Sequence, residues 1–421
     1  MQKVQNFIHL VLIGVFIFLF NLPLSSQNMN RVREVTDSLC SPYMFGRGYL
    51  KNGDKRAAQY IRNHYQYAGL LAFSLKGYFQ EFMMSINTFP EESVLKINNK
   101  TMKLGSEYIL DGMSGAGKLK GDVFYFEDLH WVTKEDFASR DLSETILVYD
   151  QKLDQEIFKL TKEQQSKIYS AQAIILLADK LTQTLAQFQL PLPRIILKKA
   201  LFPKDIKKVK IDVMAELIYG YPSQNVIGYI RGTAQPDSFV VFTAHYDHLG
   251  GIGEEVYFPG ANDNASGVAM LIELANYFSK NPPEYSVAFM AFGGEEAGLI
   301  GSKFYTENTF FPLKKIKFLL NLDLFGTGEK GATVVNGSVF KEAFALLTEI
   351  NKENNYITEI KSRGKAANSD HYFFSEKGVP AFFIYLMGDW EHYHDIQDQK
   401  PLPYTEFRDA FRLLVDFAER L

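Results

Sequence analysis

The chain has 421 residues, 46% hydrophobic and 22% charged, enough apolar material for one large domain or two to three smaller ones. Its formal net charge of -4 carries neither the basic excess that nucleic-acid binding requires nor an acidic tail. The single cysteine, Cys40, excludes an intrachain disulfide and reads as a small, partly buried residue near a helix end.

In chain order, the N-terminus "MQKVQNFIHLVLIGVFIFLFNLPLSS" has Lys3 and then an apolar run from Phe7 to Leu22. It predicts a signal peptide over residues 1–26, cleaved near Ser26, and hence an exported, periplasmic or extracellular protein. The alternative is an uncleaved membrane anchor formed by residues 7–22. Val32, Val35 and Leu39, then Ala57, Ile61, Tyr65 and Ala68, keep helical spacing, and the cluster Gly46 to Asp54 separates the two helices. Alternation in "YFQEFMMSINTF" and "SVLKIN" predicts strands.

Residues 101–215 differ in character: "GDVFYFED", "TILVYD" and "AQAIILLAD" read as short strands between polar, lysine-rich segments. "GMSGAGKL" spaces Gly112, Gly117 and Lys118 like a phosphate-binding loop. Leu119 stands where a magnesium-binding hydroxyl belongs, so the stretch reads as a flexible glycine turn.

From 216 onward, "FVVFTA", "SVAFMAF", "FLLNLDL" and "PAFFIY" are buried-strand candidates. Helical patterns lie between and after them, over Ser266 to Phe278 and Tyr404 to Leu421. The alternation predicts an α/β fold, a mostly parallel, mixed sheet with helices on both faces, with a smaller β-rich domain inserted.

Ligands of such sheets bind beyond the carboxyl ends of the strands. There the sequence places His245, Asp247 and His248, then Glu295 and Glu296, then Asp323. Asn262, Asp263 and Asn264 precede a helix, and His392 and His394 follow the last strand. Taken singly, each has a structural reading as a helix cap, a dipole partner or a hydrogen-bonded core histidine. Together they gather carboxylates and imidazoles at one sheet edge, the donor set of a borderline cation such as zinc. Five such groups exceed one tetrahedral ion with an open position and suit two ions about 3.5–4 Å apart with a bridging carboxylate.

The stretches "TAHYDHLG", "PGANDNASGVA", "GGEEAGLIGS", "NLDLFG", "NSDHYFFSEKGVPAFF" and "HYHDIQD" resemble the successive motifs of the M28 family of zinc-dependent peptidases, aminopeptidases among them. The resemblance covers residues 216–400. "LCSPYMFGRGYLKNGDKRAAQYIRNHYQYAGL" is similar to the opening helices of these domains, and 101–215 to a protease-associated insert. It implies a discontinuous peptidase domain, 27–100 and 216–421, that holds two Zn2+ and acts on peptide or protein substrates. It implies His245 and Asp323 on one zinc, Glu296 and His394 on the other, and Asp263 bridging. Glu295 would be the general base, and Asp247 a carboxylate orienting His245. His394 is preferred to His392 because "HDIQD" resembles the family's His-x-x-x-Asp, ending at Asp398. Asp370 and His371 would lie behind the ligands or beside the substrate.

Asn262 stands where a second aspartate often sits, and "HDIQDQ" replaces the more usual "HTPxDT". The alternatives are a glutaminyl-peptide cyclotransferase with one zinc and a non-catalytic binding module on the same fold.

Overall fold

The computed structural model describes residues 27–421 except 204 and 207; the expected signal segment, 1–26, lies outside the described residues. No helix among the described residues is long and apolar enough to cross a membrane.

Two helices open the fold, α1 (Met29–Leu39) and α2 (Gly53–Tyr67). The Asn28 side chain caps α1 by accepting from the Asn30 and Arg31 amides, satisfying donors that have no partner within the helix. Val32, Val35 and Leu39 of α1 and Ala57, Ile61 and Tyr65 of α2 are fully buried, as their spacing predicts. Cys40 follows α1, and burial pushes its thiol up to about 12. Because the raised value keeps it protonated at pH 8, the native protein should resist alkylation there and react only after unfolding. Mass-spectrometric counting of adducts checks this.

Strand β1 (Phe79–Thr88) enters the main sheet, and the chain then leaves it. A second eight-stranded sheet follows from β2 (Val94–Ile97), β3 (Lys100–Thr101), β4 (Tyr108–Leu110), β5 (Gly117–Tyr125), β6 (Thr145–Asp150), β7 (Ala173–Ala178), β8 (Arg194–Lys198) and β9 (Val209–Val213). Its central pairs β5–β6, β6–β7 and β7–β8 are parallel, and it closes around its own apolar core. "SVLKIN" therefore belongs here, since β2 pairs with β9, so the second sheet begins before residue 101. It has as many strands as the main sheet. "GMSGAGKL" does open on a turn, at Gly112 and Met113, but its glycines are packed tightly rather than free. A Cβ at Gly112 would lie 2.5 Å from the Thr184 carbonyl, and one at Gly115 2.2 Å from that of Leu190. These glycines permit close backbone packing, and Lys118 lies on β5, paired with Asp212 at 2.7 Å.

The chain returns to the main sheet with β10 (Glu216–Ile230) and β11 (Gln235–His245), followed by the small hairpin of β12 (Gly251–Ile252) and β13 (Val256–Tyr257). Helix α3 (Gly267–Lys280), β14 (Tyr285–Phe292), α4 (Ile300–Glu307), β15 (Ile316–Asp323) and β16 (Ala332–Val335) come next. The fold finishes with α5 (Lys341–Asn354), β17 (Ile360–Ser362), α6 (His371–Glu376), β18 (Ala381–Leu386) and α7 (Phe407–Arg420). The strand order is β1-β10-β14-β11-β15-β18-β16-β17. The centre, β14-β11-β15-β18, is parallel, and antiparallel strands flank it.

Helices cover both faces. Val240, Phe242 and Ala244 of β11 pack with α1, α2, α3 and α7, while Phe239 and Val241 face Tyr305 of α4 and Phe374 of α6. Burial on both sides explains the unbroken apolar runs of these strands. It also leaves polar side chains their place at the strand ends, where β11, β14 and β15 deliver theirs together.

Candidate active site

His245 ends β11 and Asp323 ends β15, both buried. Glu295 and Glu296 follow β14 on a turn, and Asp263 lies, with a non-helical backbone, in the segment Ala261–Ser266 just before α3. His394 comes from the loop after β18, with a left-handed backbone at φ 56°.

These side chains converge. His245 Nε2 lies 3.3 Å from Asp263 Oδ1 and 3.4 Å from Asp323 Oδ2. His394 Nε2 lies 3.2 Å from Asp263 Oδ2 and 3.1 Å from Glu296 Oε2. The two oxygens of Asp263 therefore face two separate histidine–carboxylate pairs. Two sets of donor atoms, from His245, Asp263 and Asp323 and from His248, Asp263 and Glu296, each lie within 4.8 Å of one another.

The donor set fits a cation. Asp263, Asp323 and Glu296 ion-pair only with histidines, and among the described residues no lysine or arginine neutralises them. Asp323 Oδ1 is buried without a hydrogen-bond partner. Packed carboxylates with no fixed counter-charge are costly unless a positive ion joins them.

Glu295 stands outside both donor sets. Burial raises its carboxyl well above the usual range; His245 opposes this, and the negative charges of Asp370, Glu296 and Asp323 add to it. Glu296 behaves oppositely: burial works against ionisation, but His394 and His248 bring its carboxyl down to about 2. Adjacent glutamates thus sit in different fields.

Around the cluster lies a scaffold that the sequence reading did not find. Asp247 was expected to orient His245, but its carboxylate lies 3.9 Å from His245 Nδ1, which instead meets the Asp247 backbone carbonyl at 3.2 Å. The Asp247 carboxylate accepts the Glu295 and Glu296 amides at 3.1 and 3.3 Å and the Tyr49 hydroxyl at 3.0 Å, holding the turn that presents both glutamates. Asp398 does the same for the neighbouring loop, accepting the Asn262 and Asp263 amides at 2.9 and 3.0 Å and the Trp390 indole at 2.9 Å.

Arg47 is fully buried and donates to the carbonyls of Leu39, Tyr246, Pro259, Gly260 and Asp263. His248, whose motif was noted without a role, places Nδ1 2.7 Å from Glu296 Oε1. The only sequence signal for Arg47 is its setting between glycines in "FGRGY". A Cβ on Gly46 would fall 2.2 Å from the Gly250 carbonyl, so the loop that separates the first helices packs backbone to backbone beneath the site.

Among the described residues His394, not His392, ion-pairs with the cluster carboxylates; the His392 ring meets Trp390 edge-on at 5.3 Å. Asp370 is buried near the site, where burial raises its carboxyl to about 7. His371 is buried 5.4 Å from the Phe383 ring, and burial lowers it to about 4.

This order of strand-end donors matches a known sequence family: residues 225–418 fit the model of Peptidase family M28. That segment, a little under half of the chain, is similar to M28 peptidase domains. Among curated relatives, aminopeptidase YwaD of Bacillus subtilis (strain 168) is 26% identical over 250 residues, covering 55% of this chain and 51% of YwaD. The chain spans about half or less of the length of the curated relatives it matches. Among solved structures, BSAP, described as a zinc aminopeptidase from Bacillus subtilis, superposes with a TM-score of 0.71 at 20% identity over 95% of this chain and 96% of BSAP. The aminopeptidase from Aneurinibacillus sp. strain AM-1 gives 0.66 at 19% identity over 94% of both chains. These likenesses establish a shared fold across both the M28-like domain and the inserted sheet.

Proposed function

We propose that the chain is an exported, zinc-dependent peptidase that removes N-terminal residues from peptides or proteins. The observation that carries the proposal is the division of Asp263 between the His245–Asp323 and Glu296–His394 pairs, the arrangement a bridging carboxylate needs between two ions. His245 and Asp323 would hold one ion and Glu296 and His394 the other. Bound there, zinc supplies Lewis acidity, lowering the pKa of water and polarising a carbonyl.

The protein's own residues do the rest. Glu295 accepts a proton as water oxygen attacks the scissile carbonyl carbon. It returns that proton to the leaving nitrogen as the C–N bond breaks. Asp247 and Tyr49 hold its turn still during both transfers. A cavity of about 240 Å³ opens beside Asp263, lined by Leu324, Tyr385, Met387, Trp390 and Tyr393 among others. It suits an apolar side chain next to the bond being cut.

The test is hydrolysis of aminoacyl reporters run beside a glutaminyl-peptide cyclisation assay. Hydrolysis should stop on chelation and return with zinc. A leucyl reporter should exceed an alanyl one by roughly tenfold or more in kcat/KM, as filling an apolar pocket implies. Pyroglutamate formation with one zinc per chain would replace this reading by the cyclotransferase one.

A further inference from the structure

The inserted sheet reaches into the site. After β7 the chain leaves the sheet, and the segment 179–190 runs to the loops that carry Glu296 and His394. Gln183 meets His394 twice. Its amide donates to the His394 carbonyl at 3.0 Å, and its own carbonyl lies 2.9 Å from His394 Nδ1. Lys180 Nζ donates to the Glu391 carbonyl, three residues before His394. Gln187 Nε2 donates to the Ala297 carbonyl at 2.9 Å, directly after Glu296. The Ala186 carbonyl accepts the Asn87 amide at 2.9 Å, tying the segment to the end of β1.

The chemistry of these contacts is directional. A carbonyl only accepts, so Gln183 requires a proton on Nδ1 of His394. In a neutral imidazole that leaves the lone pair on Nε2, the atom that faces Asp263 and Glu296. The His394 backbone is also in the left-handed region, which costs a side-chain-bearing residue energy unless its surroundings hold it there. The paired bonds from Gln183 hold both ring and backbone.

We propose that segment 179–190 of the insert is a positioning element of the M28 site, fixing His394 toward the ion it shares with Glu296. The proposal rests on the two-ion reading above. It gives the insert a task inside the metal centre, so the two sheets form one functional unit.

The test uses the full chain in three forms: wild type, Gln183→Pro, which deletes the amide donor, and Lys180→Met/Gln187→Leu, which keeps the Gln183 backbone and removes its flanking anchors. Zinc per chain is read by equilibrium dialysis against graded chelator, and thermal unfolding is followed without metal. The expected result is a wild type with two ions. Gln183→Pro should bind one of them about 10- to 100-fold more weakly, and the double variant should weaken the same ion by less. The second ion and the metal-free melting temperature should be unchanged. If Gln183→Pro does not fold, the double variant decides. Wild-type affinity for both ions in the variants overturns the proposal, as does equal weakening of both ions with a lowered metal-free melting temperature. A wild type that binds fewer than two ions overturns the two-ion reading itself.

Discussion

Glu295→Gln should lower kcat by about 10²- to 10⁴-fold, the usual worth of a general base, with zinc content unchanged. The substitution keeps the shape of the side chain and the hydrogen bond that the backbone amide of residue 295 donates to Asp247. It removes only the capacity to take up a proton. Glu295 lies outside both donor sets, so metal affinity has no reason to fall. KM should change little, because the base acts on water and on the leaving nitrogen. Single-turnover kinetics with a leucyl reporter, beside a zinc count on the same sample, separates the two effects. A variant that keeps the wild-type rate would remove Glu295 from the mechanism.

Arg47→Met should be the most destabilising single substitution in the M28-like domain, at about 5 kcal/mol. It takes a donor from five buried carbonyls and leaves four of them with none, since Gly260 keeps the Ala265 amide at 3.2 Å, each stranded carbonyl costing about 1 kcal/mol or more. Tyr246 lies between His245 and Asp247, and Asp263 is the shared carboxylate, so zinc affinity should fall with stability. Arg47→Lys should not restore either, since an ammonium has three donors and lacks the planar fork that spreads over this ring of acceptors. Urea unfolding followed by circular dichroism checks the first statement, and zinc dialysis of any folded fraction checks the second. A lysine variant of wild-type stability would show that charge alone suffices there.

The central strands were legible because burial on both faces writes a continuous apolar run, as in "FVVFTA" and "FLLNLDL". The donor residues were legible because they stand at the ends of those runs, and the structure brings His245, Asp263, Glu296, Asp323 and His394 to one edge. The scaffold beneath was not. Arg47 acts on backbone carbonyls, four of the five far away in sequence, and the Gln183 backbone meets the carbonyl and ring of His394; such contacts leave no trace in residue type. Asp247 was legible only in part, for a related reason: two residues from His245 it reads as that ring's partner, and it does lie 3.9 Å from His245 Nδ1, but its oxygens also accept the amides of the β14 turn, which residue type does not reveal. The early start of the second sheet failed differently. Alternation in "SVLKIN" predicts a strand but cannot say which sheet it joins.

Whether Glu295 and Glu296 divide one task into two is decided by counting zinc at limiting metal in wild type, Glu295→Gln and Glu296→Gln. Two ions per chain are expected in wild type and in Glu295→Gln. One ion should be lost in Glu296→Gln, since Glu296 Oε2 faces His394 and its Oε1 is held by His248. Equal loss in both variants, or a single ion in the wild type, would contradict this division.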